Sequence, residues 1–280
     1  MTQYFYSAMI MNIKPIALFI SLAVLSGTAL ADAPKARHDW TGFYVGGFVG
    51  GGAGAKTNTT EPVASDGTTW ATSFSSPSSY HTKASVMGGG TVGYNWQLGR
   101  SPYLIGLEGE YGYLGMKGGA QDPNAAPFGD AGDGFHSTRI GGSYGYGLIG
   151  GRLGYAHDRS LFYVKSGAVF TSTQTNYDDF NVNPFPSGVD GTLHTSGKSN
   201  NVGYAIGGGI EQALPPEWFK LAKNISIKAE YLYLGIERTQ TSSGVTSHPG
   251  FTSSPSLTTT DHISGIHTAK IGINYRFRGL

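Results

Sequence analysis

Cysteine is absent from the 280 residues, which excludes disulfides and thiolate metal centres. Charge is scarce as well. Asp, Glu, Lys and Arg make up 13% of the chain, about half of what a soluble domain carries. So few charges make a water-facing surface hard to build. Neither sign dominates: Lys14 is the only charge in the first 31 residues, and beyond it 18 Lys and Arg stand against 18 Asp and Glu. That balance excludes a basic face for nucleic acid and an acidic tail. Beyond residue 25 no apolar run is long enough for a membrane helix of about 20 residues.

What the chain has in quantity is glycine, 44 residues, with 17 Tyr and 14 Phe. The aromatic content argues against disorder. The N-terminus reads as an export leader. Lys14 supplies a positive charge, Ile16 to Leu25 is apolar apart from Ser21, and Ala29-Leu30-Ala31 fits a cleavage site. Residues 1–31 are therefore expected to be removed, with Met11 an alternative start. Residues 32–39 form a short polar periplasmic lead, and residues 40–280 the folded domain.

In that domain, alternating segments with the period of two that marks strands are separated by two kinds of connector. Segments 84–97, 103–114, 201–211, 225–234 and 267–277 are clear; 41–54, 139–156 and 161–171 are less regular. In 225–234, Ile225, Ile227, Ala229, Tyr231 and Tyr233 share one face, with Lys228 and Glu230 opposite. Connectors 56–82, 116–138, 172–199 and 239–262 are long and rich in Ser, Thr, Gly, Pro and Asn. Between them lie short turns at 98–102 and 157–160 and a longer one at 213–223. Eight strands with strictly alternating long and short connections describe an all-β, antiparallel, up-and-down transmembrane barrel with long extracellular loops.

A soluble barrel with its apolar face inward has the same period. Three features favour lipid. The clear strands span a thin bilayer at about 3.3 Å per residue and a tilt near 40°. Aromatics gather toward strand ends, where girdles at two lipid–water interfaces belong: Tyr94, Trp96, Tyr103, Tyr111, Tyr113, Tyr155, Tyr231, Tyr233, Tyr275 and Phe277. The polar faces carry few charges of both signs: Glu108, Glu110, Glu211 and Glu230 against Arg152, Lys165, Lys228, Lys270 and Arg276. An eight-stranded barrel has an interior just wide enough for side chains. Such charges are expected to pair and close the lumen, since a buried charge without a partner costs several kcal/mol.

Several stretches resemble a known family: Trp40-Thr41-Gly42-Phe43-Tyr44-Val45-Gly46-Gly47, Gly93-Tyr94-Asn95-Trp96, Leu153-Gly154-Tyr155-Ala156, residues 225–233, and Ile271-Gly272-Ile273-Asn274-Tyr275-Arg276-Phe277. They are similar to the small porin-family barrels of α-proteobacteria, which are related to the OmpA-type transmembrane domain. Members are called outer-membrane immunogenic or haemin-binding proteins. The resemblance implies a Gram-negative outer-membrane surface protein. Its partners would be outer-membrane lipids, lipopolysaccharide and the barrel-assembly machinery, and its loops would meet host or environmental ligands. Such proteins end on an aromatic residue read by that machinery; here Phe277 is followed by Arg278-Gly279-Leu280.

Other motifs carry less. Gly141-Gly142-Ser143-Tyr144-Gly145 matches G-x-S-x-G, but a hydrolase elbow needs a strand, a sharp turn and a helix, and Ser143 falls inside an expected strand. No catalytic residue is assigned, and a lipid-modifying barrel enzyme is a remote alternative. The glycine runs 50–52 and 88–90 lack the Lys-Ser/Thr and the helix of a phosphate loop. No cofactor is required. The one candidate is haemin, because His81, His136, His194, His248 and His262 fall in or beside the long connectors and haem iron accepts His or Tyr. No histidine pair has metal-ligand spacing. The expected function is a structural surface barrel; a small-solute channel and a haemin receptor are its alternatives.

Overall fold

Alternation of large outward residues with glycine or polar inward ones gives each segment two unlike faces, and the strands satisfy one another's backbone by closing into a ring. The computed structural model describes residues 38–277, apart from 55, 60–62, 65–78, 100, 122–134, 143–144, 183–190, 216, 219–221 and 248–255. The leader with Ala29 and Ala31, His248 and residues 278–280 lie outside the described residues.

In chain order the strands are β1 (Gly42–Gly54), β2 (Lys56–Thr59), β3 (Val63–Ala64), β4 (Ser79–His81), β5 (Ser85–Gln97), β6 (Tyr103–Leu114), β7 (Met116–Gln121), β8 (Phe135–Ile140), β9 (Tyr146–His157), β10 (Ser160–Val182), β11 (Gly191–Ala213), β12 (Ile225–Gly235), β13 (Arg238–Ser247), β14 (Ser256–Ile263) and β15 (Ile266–Arg276). Eight of them form the ring β1-β5-β6-β9-β10-β11-β12-β15, with every neighbour antiparallel. β15 pairs back onto β1 from Tyr44↔Arg276 to Gly54↔Ile266, so the ring has no open edge. Lipid cannot hydrogen-bond a backbone, and closure removes the need.

At one end the ring is tied by tight connections. Asp158 takes a positive φ of 50° in the turn joining β9 to β10, and Gly99 one of 58° in the turn joining β5 to β6. A 3-10 turn, Ala222–Asn224, leads into β12.

At the other end the strands continue. β7 pairs β8, β8 pairs β10, β11 pairs β13, β13 pairs β14, and β14 pairs β2, which pairs β4. Each of these ladders extends one in the ring below, and Lys83 N, just beyond β4, donates to Lys117 O of β7 at 2.8 Å. The long connectors are therefore strands over much of their described length. Their Ser, Thr and Asn content reads as loop, but Thr is β-branched and suits a strand, and a ladder already paired below carries the extension upward.

The expected segment 139–156 is in fact two strands. Gly141, Gly142 and Gly145 have φ of 88°, 33° and 66° and break it between β8 and β9. A Cβ on Gly141 would lie 1.5 Å from Leu114 O. Ser143, expected inside a strand, lies outside the described residues, and the next described element is strand β9 from Tyr146, not a helix.

Candidate functional site in the barrel lumen

Residue parity places the site. Along β6, Leu104, Gly106, Glu108, Glu110, Gly112 and Leu114 are inward and buried, while Tyr103, Ile105, Leu107, Tyr111 and Tyr113 are outward and exposed. The same alternation on the other ring strands stacks the interior in layers. Nearest the turn end lie Trp40, Leu104, Ala156, Leu161, Tyr163 and Ala213. Trp40 is fully buried; the Arg276 guanidinium sits 4.5 Å from its ring centroid, and the Trp40 backbone N–H donates to Gln97 Oε1 at 3.0 Å. At the other end of the ring an apolar collar includes Phe48, Met87, Leu114, Leu148, Val169, Leu232 and Ile266.

Between these layers sits a charged belt. All nine ionisable residues assigned to the lumen are at most 5% exposed. Glu211 meets Arg152 at 3.2 Å and Arg276 at 3.6 Å. Arg152 lies 3.6 Å from Glu108, which also receives Lys228 at 3.3 Å and Lys165. Lys165 bridges Glu108 to Glu110 and approaches Glu230 at 3.6 Å. Lys270 bonds Glu110 and reaches Glu230 at 2.8 Å. The ion pairs thus run without interruption from Arg276 to Lys270. Glu108, Glu110 and Glu230 bring carboxylate oxygens within 4.8 Å of one another, a grouping that could hold a cation. Lys165 reaches all three of those carboxylates and supplies that positive charge.

Three tyrosines belong to the same belt and were not among the expected members. Tyr44 donates to Glu108 at 2.6 Å, Tyr163 to Glu230 at 2.8 Å and Tyr146 to Glu110 at 3.1 Å. Asn95 accepts from Arg152 Nε at 2.8 Å, and Asn274 donates to Glu211 at 3.0 Å. The signal was available for Tyr163 and Tyr146: both fall out of phase with the apolar stripe of their strands. Glycine makes the room. A Cβ on Gly93 would lie 2.2 Å from the Tyr44 hydroxyl, and one on Gly209 2.7 Å from that of Tyr163.

The outer wall is apolar. Val49, Val164, Ile149, Leu153 and Ile271 are each more than 60% exposed, and no Asp, Glu, Lys or Arg stands on the outward face between the strand ends. The ten expected girdle residues fall at the two ends of the ring. Toward the turns, Tyr94 lies 4.5 Å from Trp96, Tyr103 5.7 Å from Tyr155, and Tyr275 5.1 Å from Phe277, ring to ring. Phe43 joins them, 5.7 Å from Phe277. At the opposite end lie Tyr111, Tyr113, Tyr231 and Tyr233. Tyr204 is 6.1 Å from Tyr233, and Tyr231 hydrogen-bonds His267 Nδ1 at 2.7 Å.

The described histidines of the long connectors do not converge. His136 points inward and is buried, its ring 4.3 Å from that of Tyr177; burial pushes its pKa down to about 4. His81 is exposed at the end of β4. His194 is exposed and pairs with Asp178. His262 is exposed and bonds the Thr239 hydroxyl at 2.9 Å.

A closed ring with a greasy outer wall, two aromatic belts and its charges inside defines a transmembrane β-barrel. Residues 18–277 match the family described as outer membrane protein beta-barrel domain, and the chain belongs to that family. It is 24% identical over 266 residues to the 31 kDa outer-membrane immunogenic protein of Brucella melitensis, covering 93% of each chain. Among solved structures it is similar to the outer membrane protein OprG of Pseudomonas aeruginosa, with 9% identity, 87% of this chain and 99% of that one covered, and a TM-score of 0.48. It is also similar to the outer membrane protease OmpT of Escherichia coli, with 10% identity, 84% and 97% covered, and a TM-score of 0.44.

Proposed function

We propose that this chain is a structural surface barrel of the outer membrane: a sealed anchor that crosses the bilayer with the ring and holds its strand extensions outside the cell. The observation that carries this reading is the uninterrupted ion-pair belt closed above and below by apolar side chains. An eight-stranded interior is small enough for side chains to fill, and the buried belt supports that reading. Charges engaged with one another between two apolar layers offer no path for hydrated ions. Haemin capture has no convergent histidine set among the described residues to support it.

The experiment is electrical. Protein whose folding is established by altered gel mobility without heating is placed in a planar bilayer. A sealed barrel gives no stable current steps. Regular steps that change when Lys228 is replaced by Met or Glu230 by Gln would establish a solute channel instead.

A further inference from the structure

The outer wall changes character above the belt formed by Tyr111, Tyr113 and Tyr233. Below it the outward face carries no Asp, Glu, Lys or Arg; immediately above stand Lys83, Lys117 and Arg139, all exposed. The three are neighbours. Lys83 N bonds Lys117 O, and Lys117 and Arg139 are direct cross-strand partners of β7 and β8. Partners in such a pair have Cβ atoms about 5 Å apart, and like charges there are destabilising. Among the described residues none of the three side chains takes an ion pair with a carboxylate. The row continues around the wall, Arg139 opposite Gln174 of β10 and Gln174 opposite Lys198 of β11.

The height of this row is informative. Gln174 stands four residues beyond the exposed Phe170 on the same strand. At about 3.3 Å per residue and a tilt near 40° that is roughly 10 Å along the barrel axis. It lies just outside the hydrocarbon edge, where lipid head groups begin. Beneath Lys83 and Lys117 the wall is apolar and hollowed. Val86 and Tyr113 are both more than 50% exposed, and Gly88, opposite Tyr113, has no side chain.

We propose that Lys83, Lys117 and Arg139 bind the phosphorylated head group of an outer-leaflet glycolipid, whose acyl chains lie on the wall around Gly88. Clustered Lys and Arg at a membrane surface attract anionic lipid, and Arg adds bidentate bonds to phosphate oxygens. A phosphate between the three cations removes the repulsion that the cross-strand pair otherwise carries. The site rests on the reading above that the extensions face the cell exterior.

The test uses the folded full barrel in detergent and native mass spectrometry. The probes are bis-phosphorylated lipid A and the same lipid with its phosphates removed. The wild type is expected to retain the phosphorylated lipid at least ten-fold more tightly than the dephosphorylated one. K83Q/K117Q/R139Q, checked for the unheated gel shift, loses that preference; K83R/K117R/R139K keeps it, and K223Q at the opposite end leaves it unchanged. Equal binding by wild type and the Gln variant overturns the site, as does equal binding of the two lipids. Tighter capture of a soluble heparin oligosaccharide than of lipid A would assign the cations to a soluble polyanion and also overturn it. Orientation is read separately: a single cysteine at exposed Thr241, in a chain with none of its own, reacts with an impermeant maleimide on intact cells. Failure of that labelling sinks the exterior placement without touching the detergent result.

Discussion

Strand β10 runs 23 residues through two environments, and its two halves differ on both faces. In the ring its outward residues include Phe162, Val164, Ala168 and Phe170, and its inward ones Leu161, Tyr163, Lys165 and Val169. In the upper tier its outward residues are Gln174, Asn176 and Asp178, and its inward ones Thr171, Thr173, Thr175 and Tyr177. The backbone geometry is continuous; what surrounds it is not. Lipid demands an apolar exterior and pushes the charges inward, where they must pair. Water permits a polar exterior, and the interior is then filled largely by neutral hydrogen-bonding groups such as the Thr173 and Asn201 pair at 2.5 Å, alongside the buried Asp261 and His136.

Breaking one partner in each interior is the sharpest way to expose this difference. Glu108→Gln leaves Lys165, Lys228 and Arg152 short of their shared carboxylate and is expected to cost about 3–5 kcal/mol. Thr173→Val in the upper tier removes a neutral bond and costs about 1 kcal/mol. Urea unfolding in lipid vesicles measures both, and equal losses would erase the contrast. The exterior gives the next largest effect. Val164→Arg puts a charge against hydrocarbon and is expected to cost about 2–4 kcal/mol, whereas Gln174→Arg on the same strand costs close to nothing. An indifferent Val164→Arg would mean that this face is not in lipid.

The smallest effect is a pH response confined to the upper tier. Burial raises the Asp261 carboxyl to about 6, against 3.8 for the free group. The fold favours its protonated form, so its contribution is full below pH 4 and is lost as pH rises toward 6. His136 runs the other way. Its pKa is lowered to about 4 from 6.5, so its contribution is full above pH 6.5 and is lost as pH falls toward 4. The two oppose each other in the wild type. With Asp261→Asn, hydrogen exchange in β8 and β14 is expected to quicken on acidification. With His136→Gln it quickens on alkalinisation from pH 4 to 6. Ring amides are expected to stay protected in both variants.

Most of the ring was legible in the sequence. The segment 103–114 coincides with β6, and 225–234 falls one residue short of β12, because a strand buried on one face writes its period of two into local sequence. The irregular segments were harder for physical reasons. In β1, glycine on both faces hides the alternation. In 139–156, three glycines with positive φ divide what reads as one run. The upper tier was hard to read because its Thr- and Ser-rich strands have water outside and mainly polar groups inside, so neither face is apolar enough to stand out. The belt tyrosines were harder to read: glycine hides the face of Tyr44, Tyr146 blurs the alternation of its segment, and Tyr163, on the polar side of its strand, carries no charge to mark it, yet all three turn their hydroxyls to carboxylates.

The sequence by itself determined which side chains share a face, since parity along a strand depends only on neighbours in the chain. It also determined that the face turned to lipid carries no charge. Only the tertiary structure decided that Lys165 of β10 meets Glu108 of β6, and that Lys270 of β15 reaches Glu110 across the lumen. Those meetings depend on the stagger accumulated when eight strands close into a ring, and no single strand contains that quantity.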